Sequence, residues 1–309
     1  MSFNSTTNPD VIKTAIDDVF MAEWNATMHP GYMTAESGLI FKQDTTDKAA
    51  EIIDTFAGVP LWGQRTEEQD VISYAPRITN QKTYSVASFD ASVDIPKHFF
   101  DDNMHGSYEK MVRDFAMKAT ATRDNNAISL YRNAFTTATT ADGQSIANTA
   151  HTLIGGGTIS NSITGVFSEA NFNTAIVGLV EQKDQAGVVM GQMPETLFVP
   201  PKLFKTACEV LKSELRSGTA DNDINVYSSQ YGINIATSNR LGLVAGGSDT
   251  AWFLLGRNHS VTRYVRAGVA TDLIPYQYQR NNVYIYKGEF REVVGAQDYA
   301  GFYGSDGTV

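Results

Sequence analysis

The chain has 309 residues, 42% of them hydrophobic and 19% charged, ordinary proportions for a folded protein with room for one large core or two smaller ones. No apolar run is long enough to cross a membrane as a helix, MSFNSTTNPD lacks the features of a secretory signal, and the single cysteine, Cys208, excludes an intrachain disulfide and fits folding in a reducing cytoplasm. The net charge of −10 argues against a protein that coats nucleic acid along its length. That charge is uneven: residues 1–54 hold nine acids against Lys13, Lys42 and Lys48, whereas residues 240–291 hold seven bases against three acids. Solvated faces explain this, and it would also suit a subunit that meets copies of itself.

The first element is PDVIKTAIDDVFMAEW, in which Val11, Ile12, Ala15, Ile16, Val19 and Phe20 recur at helical spacing behind an Asn8 cap and Pro9. Neighbouring sequence offers this stripe no core partner, and residues 25–50 read as irregular chain. The expectation is an N-terminal arm that docks elsewhere through Val11, Ile12, Ile16, Val19 and Phe20.

Residues 57–95 hold two extended segments around a charged middle. In the second, Phe89, Ala91, Val93 and Ile95 alternate with polar residues, the period of a half-buried strand. The middle, with Arg65, Glu67, Glu68, Asp70, Arg77 and Lys82, has too little apolar content to bury itself. A long hairpin projecting from the body is predicted.

The longest helix follows in SYEKMVRDFAMKATATRDNNAISLYRNAF, with Tyr108, Met111, Val112, Phe115, Ala116 and Ala119 on one face, continuing through Ile128, Tyr131 and Phe135. At 1.5 Å per residue it would run about 42 Å, a rod able to brace a flat domain. Residues 136–166 are small and polar. A helix capped by Ser168 then points Phe172, Ala175, Ile176, Leu179 and Val180 inward, with Gly187 suiting its end. MPETLFVPP gives a short buried strand, and its prolines open a helix carrying Leu203, Phe204, Ala207, Cys208, Leu211 and Leu215 on one side. GINIATS, AWFLL and VTRYV read as strands, and the aromatic tail NNVYIYKGEFREVVGAQDYAGFY as strands added to both halves of the body.

The stretch that looks most like chemistry is HTLIGGGTISN, residues 151–161. A phosphate loop needs a preceding strand, a lysine or GxGxxG spacing, and a helix opening at the last glycine. None is present, so Gly155, Gly156 and Gly157 are read as backbone geometry, and His151 is expected to matter less than the glycine with positive φ. His98 and His105 lie near Asp94, Asp101 and Asp102, which could gather a cation; an acidic flank at the positive end of the long helix is the plainer reading. No GxSxG, zinc spacing or activated carboxylate pair occurs, and no cofactor, metal or catalytic residue is implied.

The order of elements — arm, charged hairpin, long helix, mixed domain, returning aromatic strand — resembles the major capsid proteins of tailed bacteriophages, the Hong Kong-97 type α+β fold. The phrases FDASVDIPKHFFDDNMHGSYEKM, DGQSIANTAHTLIGGGTISN, LFVPPKLFKTACEVLKS and AWFLL look like the Mu-like major head subunit branch. That resemblance implies an N-arm at 1–56, an E-loop at 57–92, a P domain with spine helix at 93–136 and 262–295, and an A domain at 137–261 and 296–309. It implies a non-enzymatic shell subunit of the virion, assembled in the host cytoplasm, with no membrane partner. Its partners would be copies of itself in hexamers and pentamers, double-stranded DNA bound without sequence readout, and portal and scaffolding proteins, with a decoration protein as a further candidate. The hairpin charges would then meet a neighbouring subunit, and the arm stripe would dock there too. No long helical prodomain precedes the arm, so no internally cleaved scaffold is expected. The alternatives are a compartment shell of the encapsulin type and a nucleotide-dependent enzyme using residues 155–157.

Overall fold

The computed structural model describes residues 9–25, 35, 37–67, 70–71, 73–74, 78–102, 105–154, 156–213, 225–227, 231–275 and 282–308. In chain order, helix α1 (Pro9–Asn25) precedes strands β1 (Lys42–Thr45), β2 (Ala50–Phe56), β3 (Ile78–Ser85) and β4 (Ala87–Pro96), then helices α2 (His98–Asp101) and α3 (His105–Arg132). Next come the two-residue strands β5 (His151–Thr152), β6 (Thr158–Ile159) and β7 (Ser162–Ile163), helix α4 (Glu169–Val180), β8 (Pro194–Val199) and α5 (Phe204–Lys212). The chain ends with β9 (Asn234–Thr237), β10 (Trp252–Gly256), β11 (Val261–Ile274), β12 (Val283–Ala296) and β13 (Phe302–Ser305).

Two sheets share one brace. The four-stranded sheet has the order β1-β11-β12-β4, with β1 parallel to β11 and the other pairings antiparallel. The five-stranded sheet has the order β7-β13-β10-β8-β9. Helix α3, about 42 Å long at 1.5 Å per residue, spans both. Near its start, Tyr108, Val112 and Ala116 pack with Ile95, Tyr284 and Tyr286 of the first sheet. Further along, Ala127, Ile128 and Tyr131 pack with Phe253, Leu255 and Phe302 of the second. The tail supplies a strand to each sheet, as its aromatic alternation predicts.

The second sheet is covered on both faces, which explains why β10 is a continuous apolar run rather than an alternating one. Phe253 and Leu255 face the α3 side, while Trp252 and Leu254 face α4 and α5. Ser168 caps α4 by accepting a hydrogen bond from the Asn171 amide at 3.2 Å, and Phe172, Ala175, Ile176 and Leu179 are its buried residues, as predicted. Gly187 does not end that helix. The helix stops at Val180, and Gly187, at φ 84°, closes a turn in which its amide donates to Asp184 O.

Two further expectations are corrected. The α1 stripe does not stand free: Ile16 and Phe20 are fully buried and Ile12 nearly so, against α3 and the first sheet of the same chain. Asp17 on α1 accepts hydrogen bonds from Thr271 Oγ1 at 2.7 Å and Tyr286 Oη at 2.8 Å, which ties the helix to β11 and β12. The covering surface lies more than 70 residues away, so local sequence could not reveal it. Val19 is half-buried beside the cluster, and the Val11 side chain lies outside the described residues. Likewise the Phe89–Ile95 alternation belongs to β4, which pairs with β12 in the first sheet; the hairpin is built by β2 and β3 instead.

A buried ion pair locks β1, β11 and β12 together. Arg263 Nε lies 2.7 Å from Glu292 Oε2, and Arg263 Nη1 donates to Gln43 Oε1 at 3.0 Å. Burial pushes the Glu292 carboxyl above its ordinary range while the Arg263 guanidinium opposes that rise. Removing either partner would leave a charge buried without its counterpart.

Candidate functional site

The hairpin is anchored at its base and bare at its tip. At the base Tyr84 Oη donates to Ala296 O at 2.7 Å and accepts from the Ala296 amide at 3.2 Å. The ring lies so close to Gly295 that an added Cβ there would sit 2.5 Å from it. Burial raises the Tyr84 phenol to about 12. Lys82 Nζ donates to Thr139 Oγ1 at 2.5 Å, and Gln81 Nε2 donates to Asp54 Oδ1 at 2.9 Å. The Tyr84 and Lys82 contacts tie β3 to the body, and the Gln81 bond ties β3 to β2.

Beyond Phe56 the described backbone up to Ile78 has no strand or helix, and its side chains are largely exposed. Of the candidate contact residues, Arg65, Glu67 and Asp70 are exposed there, while Glu68 and Arg77 lie outside the described residues. Lys82 is not at the tip; it is engaged with its own chain through Thr139. The charges are also not the most telling feature. Val59, Leu61, Trp62 and Val71 are exposed, Trp62 at 93%. Trp62, Arg65, Asp70, Val71 and Tyr74 surround a cavity of about 370 Å³. The sequence signal was present in VPLWG, but the surrounding charges masked it. Exposed apolar side chains gathered on one projecting loop mark an interaction surface.

The glycine-rich stretch is a small hairpin. β5 and β6 pair antiparallel, with Leu153 N donating to Gly157 O and Gly156 N to Leu153 O. Gly156 and Gly157 take φ of 94° and 90°, which side-chain-bearing residues avoid; Gly155 lies outside the described residues. A second strand follows rather than a helix, so this is not the strand–loop–helix geometry of a phosphate cradle.

His151 departs from expectation. It is fully buried, its Nδ1 2.7 Å from Asp142 Oδ2 and its Nε2 3.1 Å from Asn161 Oδ1. Burial alone would raise the Asp142 carboxyl, yet hydrogen bonds from His151 and Thr140 outweigh it and hold the group below its usual range. Tyr299 lies against the imidazole with ring centroids 4.8 Å apart. This network fastens the 136–161 segment to the turn between β12 and β13, and His151, not the glycines, carries its side-chain contacts.

Among the described residues, no group of three or more His, Cys, Asp or Glu side chains is arranged to hold a metal ion, and no helix is long and apolar enough to cross a membrane.

Residues 79–305 match the family described as phage capsid protein. No curated protein matches the chain. Among solved structures the fold is similar to the asymmetric unit of the mature capsid of bacteriophage PhiM1, at 14% identity and a TM-score of 0.56, covering 90% of this chain and 89% of that one. It is also similar to the capsid of cyanophage P-SCSP1u, at 12% identity and a TM-score of 0.54, with 91% and 90% covered. A virus-like particle from Pyrococcus furiosus is similar at 7% identity and a TM-score of 0.55, with 94% and 98% covered. At these identities the likeness is one of fold.

Proposed function

The chain belongs to the phage capsid protein family, a shell-forming structural protein of the Hong Kong-97 type fold, and on that premise we propose how it builds the shell and what the shell encloses. It is the major head subunit of a tailed phage, of the Mu-like branch, closing as hexamers and pentamers around double-stranded DNA. The observation that carries this reading is the family match over 79–305 together with a hairpin tied to the body at its base, whose described apolar tip residues are exposed.

In that assembly the hairpin around Arg65–Lys82 lies over a neighbouring subunit. Exposed ion pairs contribute only about 0–1 kcal/mol each, so the charges choose orientation while Leu61, Trp62 and Val71 supply burial. The enclosed DNA needs no base readout, so scattered basic side chains on the inner surface suffice despite the acidic total. Portal, scaffolding and decoration proteins would be met at this same virion shell, assembled in the host cytoplasm.

The test is to express the full chain alone and image it by electron microscopy, with light scattering to size it. Closed shells are expected, and monomer alone under all assembly conditions would refute the reading. A second reading, a compartment that encloses protein cargo, is favoured only by the likeness to the Pyrococcus furiosus particle. The contents decide: particles recovered from infected cells should hold nuclease-protected double-stranded DNA, whereas enclosed enzyme would support the compartment.

A further inference from the structure

His151 is surrounded by acceptors. Its Nδ1 lies 2.7 Å from Asp142 Oδ2, and its Nε2 lies 3.1 Å from Asn161 Oδ1 and 3.3 Å from Ile146 O. The Asn161 amide cannot turn to offer a donor instead. Its Oδ1 accepts from the Asn148 amide at 2.8 Å and its Nδ2 donates to Ile146 O at 2.7 Å, so backbone groups of fixed role assign both ends. Asp142 is committed as an acceptor too, its Oδ1 taking the Thr140 hydroxyl and the Gln144 amide. A neutral imidazole has one N–H and one lone pair. In this fully buried ring the lone pair would point at a carboxylate or at the Asn161 oxygen, an unmade hydrogen bond in the interior. The geometry therefore asks for a proton on each ring nitrogen.

The charges facing the ring favour that second proton. Burial would raise the Asp142 carboxyl, but the bonds from His151 and Thr140 outweigh it, so Asp142 meets the ring as an anion in mildly acidic solution. Asp298, on the turn between β12 and β13, also faces His151; burial raises its carboxyl, and once ionised it too favours the imidazolium. Tyr299 of the same turn stacks on the ring, and burial keeps its phenol uncharged. The same stretch of chain that carries Asp142 also anchors the hairpin. Thr139 and Ser145 form a bridge, the Thr140 amide donates to Gln144 O at 2.9 Å, and Asp142 ties this turn together from within. At the outer end of the turn Lys82 Nζ donates to Thr139 Oγ1 at 2.5 Å, and Tyr84 Oη lies 3.2 Å from Thr139 O.

We propose that Asp142, His151 and Asn161 form a proton-dependent latch on the base of the β2–β3 hairpin. With both ring nitrogens protonated, the latch holds the 139–145 turn, and through Thr139 it holds β3. Loss of one proton as pH rises turns one of its hydrogen bonds into a repulsion between oxygen and nitrogen lone pairs, and the turn and the hairpin base loosen together. The sign follows from the proton count: the closed form binds one proton more than the open form, so rising pH favours the open form. The latch belongs to the single subunit and does not depend on shell formation.

The experiment is amide hydrogen exchange of the full-length subunit, read by mass spectrometry at pH values of about 5.5 to about 8.5 and corrected for the intrinsic pH dependence of exchange. In the unaltered chain, protection of residues 139–152 and of β3 should fall together by roughly tenfold across this range, while β10 keeps its protection. The buried His259 stabilises the fold in the opposite direction, so it cannot produce that loss. His151→Gln, which is neutral at every pH, should leave both stretches less protected than in the parent at the acidic end and insensitive to pH. Asp142→Asn removes the anion that favours the second proton, and should move the loosening to lower pH. A histidine that only fills space would show neither effect. Protection of 139–152 that does not change with pH in the unaltered chain overturns the proposal, and that result needs no variant to fold. Loosening of 139–152 without β3 overturns the link to the hairpin, and equal loss in β10 would mean general destabilisation and overturn the latch.

Discussion

Two short runs, VPLWG and AWFLL, have similar composition and opposite fates. In the second, Trp252 and its neighbours lie in the middle of a sheet covered on both faces, and Trp252 is 0% exposed. In the first, Trp62 is 93% exposed on a loop without regular structure. Local hydrophobicity is the same signal in both; what differs is whether the chain supplies a covering layer. Burying a large apolar side chain is worth about 1.5–3 kcal/mol. In AWFLL that stabilises the subunit, and in VPLWG it stays available for another molecule.

The largest effect should come from removing the second run altogether. Replacing residues 57–77 by a two-residue Asn-Gly turn leaves β2 and β3 paired and the Tyr84 anchor in place. We expect a soluble subunit whose melting temperature stays within a few degrees of the parent, and no shells by electron microscopy. Normal shells from the shortened chain would erase the contrast between the two runs.

Trp252→Ala tests the other side. It removes a fully buried indole that packs edge-on to Phe167, ring centroids 5.3 Å apart, and should destabilise the subunit by about 3–5 kcal/mol in denaturant unfolding. Trp62→Ala should change the same measurement by less than about 0.5 kcal/mol. Comparable losses from the two would mean that the tip packs on its own subunit.

How much of this was legible in the sequence follows the same division. The helices α3 and α4, the buried strands β8 and β10 and the two-sheet tail were readable because their periodicity or apolar runs are local. The glycine hairpin was readable by elimination. The burial of α1 was not, since Ile16 and Phe20 meet residues such as Tyr108 and Tyr286 far along the chain. Nor was the partner of the Phe89–Ile95 alternation: period two announces a strand and says nothing of what it pairs with. At the hairpin tip, charge drew attention to Arg65–Lys82, yet the apolar residues beside them are the more informative. A sequence shows which side chains avoid water but not which surface, intrachain or foreign, will cover them.

A similar contrast, contact against backbone geometry, operates within the 151–161 hairpin. His151→Ala should cost about 3 kcal/mol by thermal or denaturant unfolding, because it takes one hydrogen-bond partner from each of Asp142 and Asn161 at a buried site and opens space beside Tyr299. His151→Gln should recover part of the loss. A cost below about 1 kcal/mol would return the site to the expectation formed from sequence, that the glycines dominate.

His259, at the crossover from the second sheet to the first, gives a pH-dependent test. Burial, with Lys42 adding repulsion, lowers its pKa from 6.5 to about 4. A depressed histidine is neutral in the folded protein, so the unfolded chain binds the extra proton first. Stability from this group is therefore complete above 6.5 and is lost as pH falls toward 4, by up to roughly 3 kcal/mol. Glu292 and Asp298, both raised by burial, act in the opposite sense as pH rises, so the parent is compared with His259→Gln. The difference between their stabilities should narrow from pH 7 to pH 4. A constant difference would show that His259 does not titrate in this way.

Apart from the Trp62→Ala control, the smallest effect is expected at Gly156. An added Cβ would meet nothing within 4 Å, so Gly156→Ala removes no contact and creates no clash. What remains is the backbone: at φ 94° an L-residue is strained, by about 1–2 kcal/mol. Part of that is offset because alanine also restricts the unfolded chain, by about 0.4–1 kcal/mol. The net loss should be about 1 kcal/mol or less, a shift of only a few degrees in melting temperature for a chain of this size. Gly156→Asn should cost less than Gly156→Ala, since asparagine tolerates positive φ better than other side-chain-bearing residues. That ranking separates geometry from chemistry, because a loop that held a phosphate through its amides would lose ligand with either substitution. Calorimetry with ATP, GTP and NAD should accordingly give no saturable heat for the parent chain, and micromolar binding abolished by Gly156→Ala would give the hairpin the chemical role that its backbone geometry argues against.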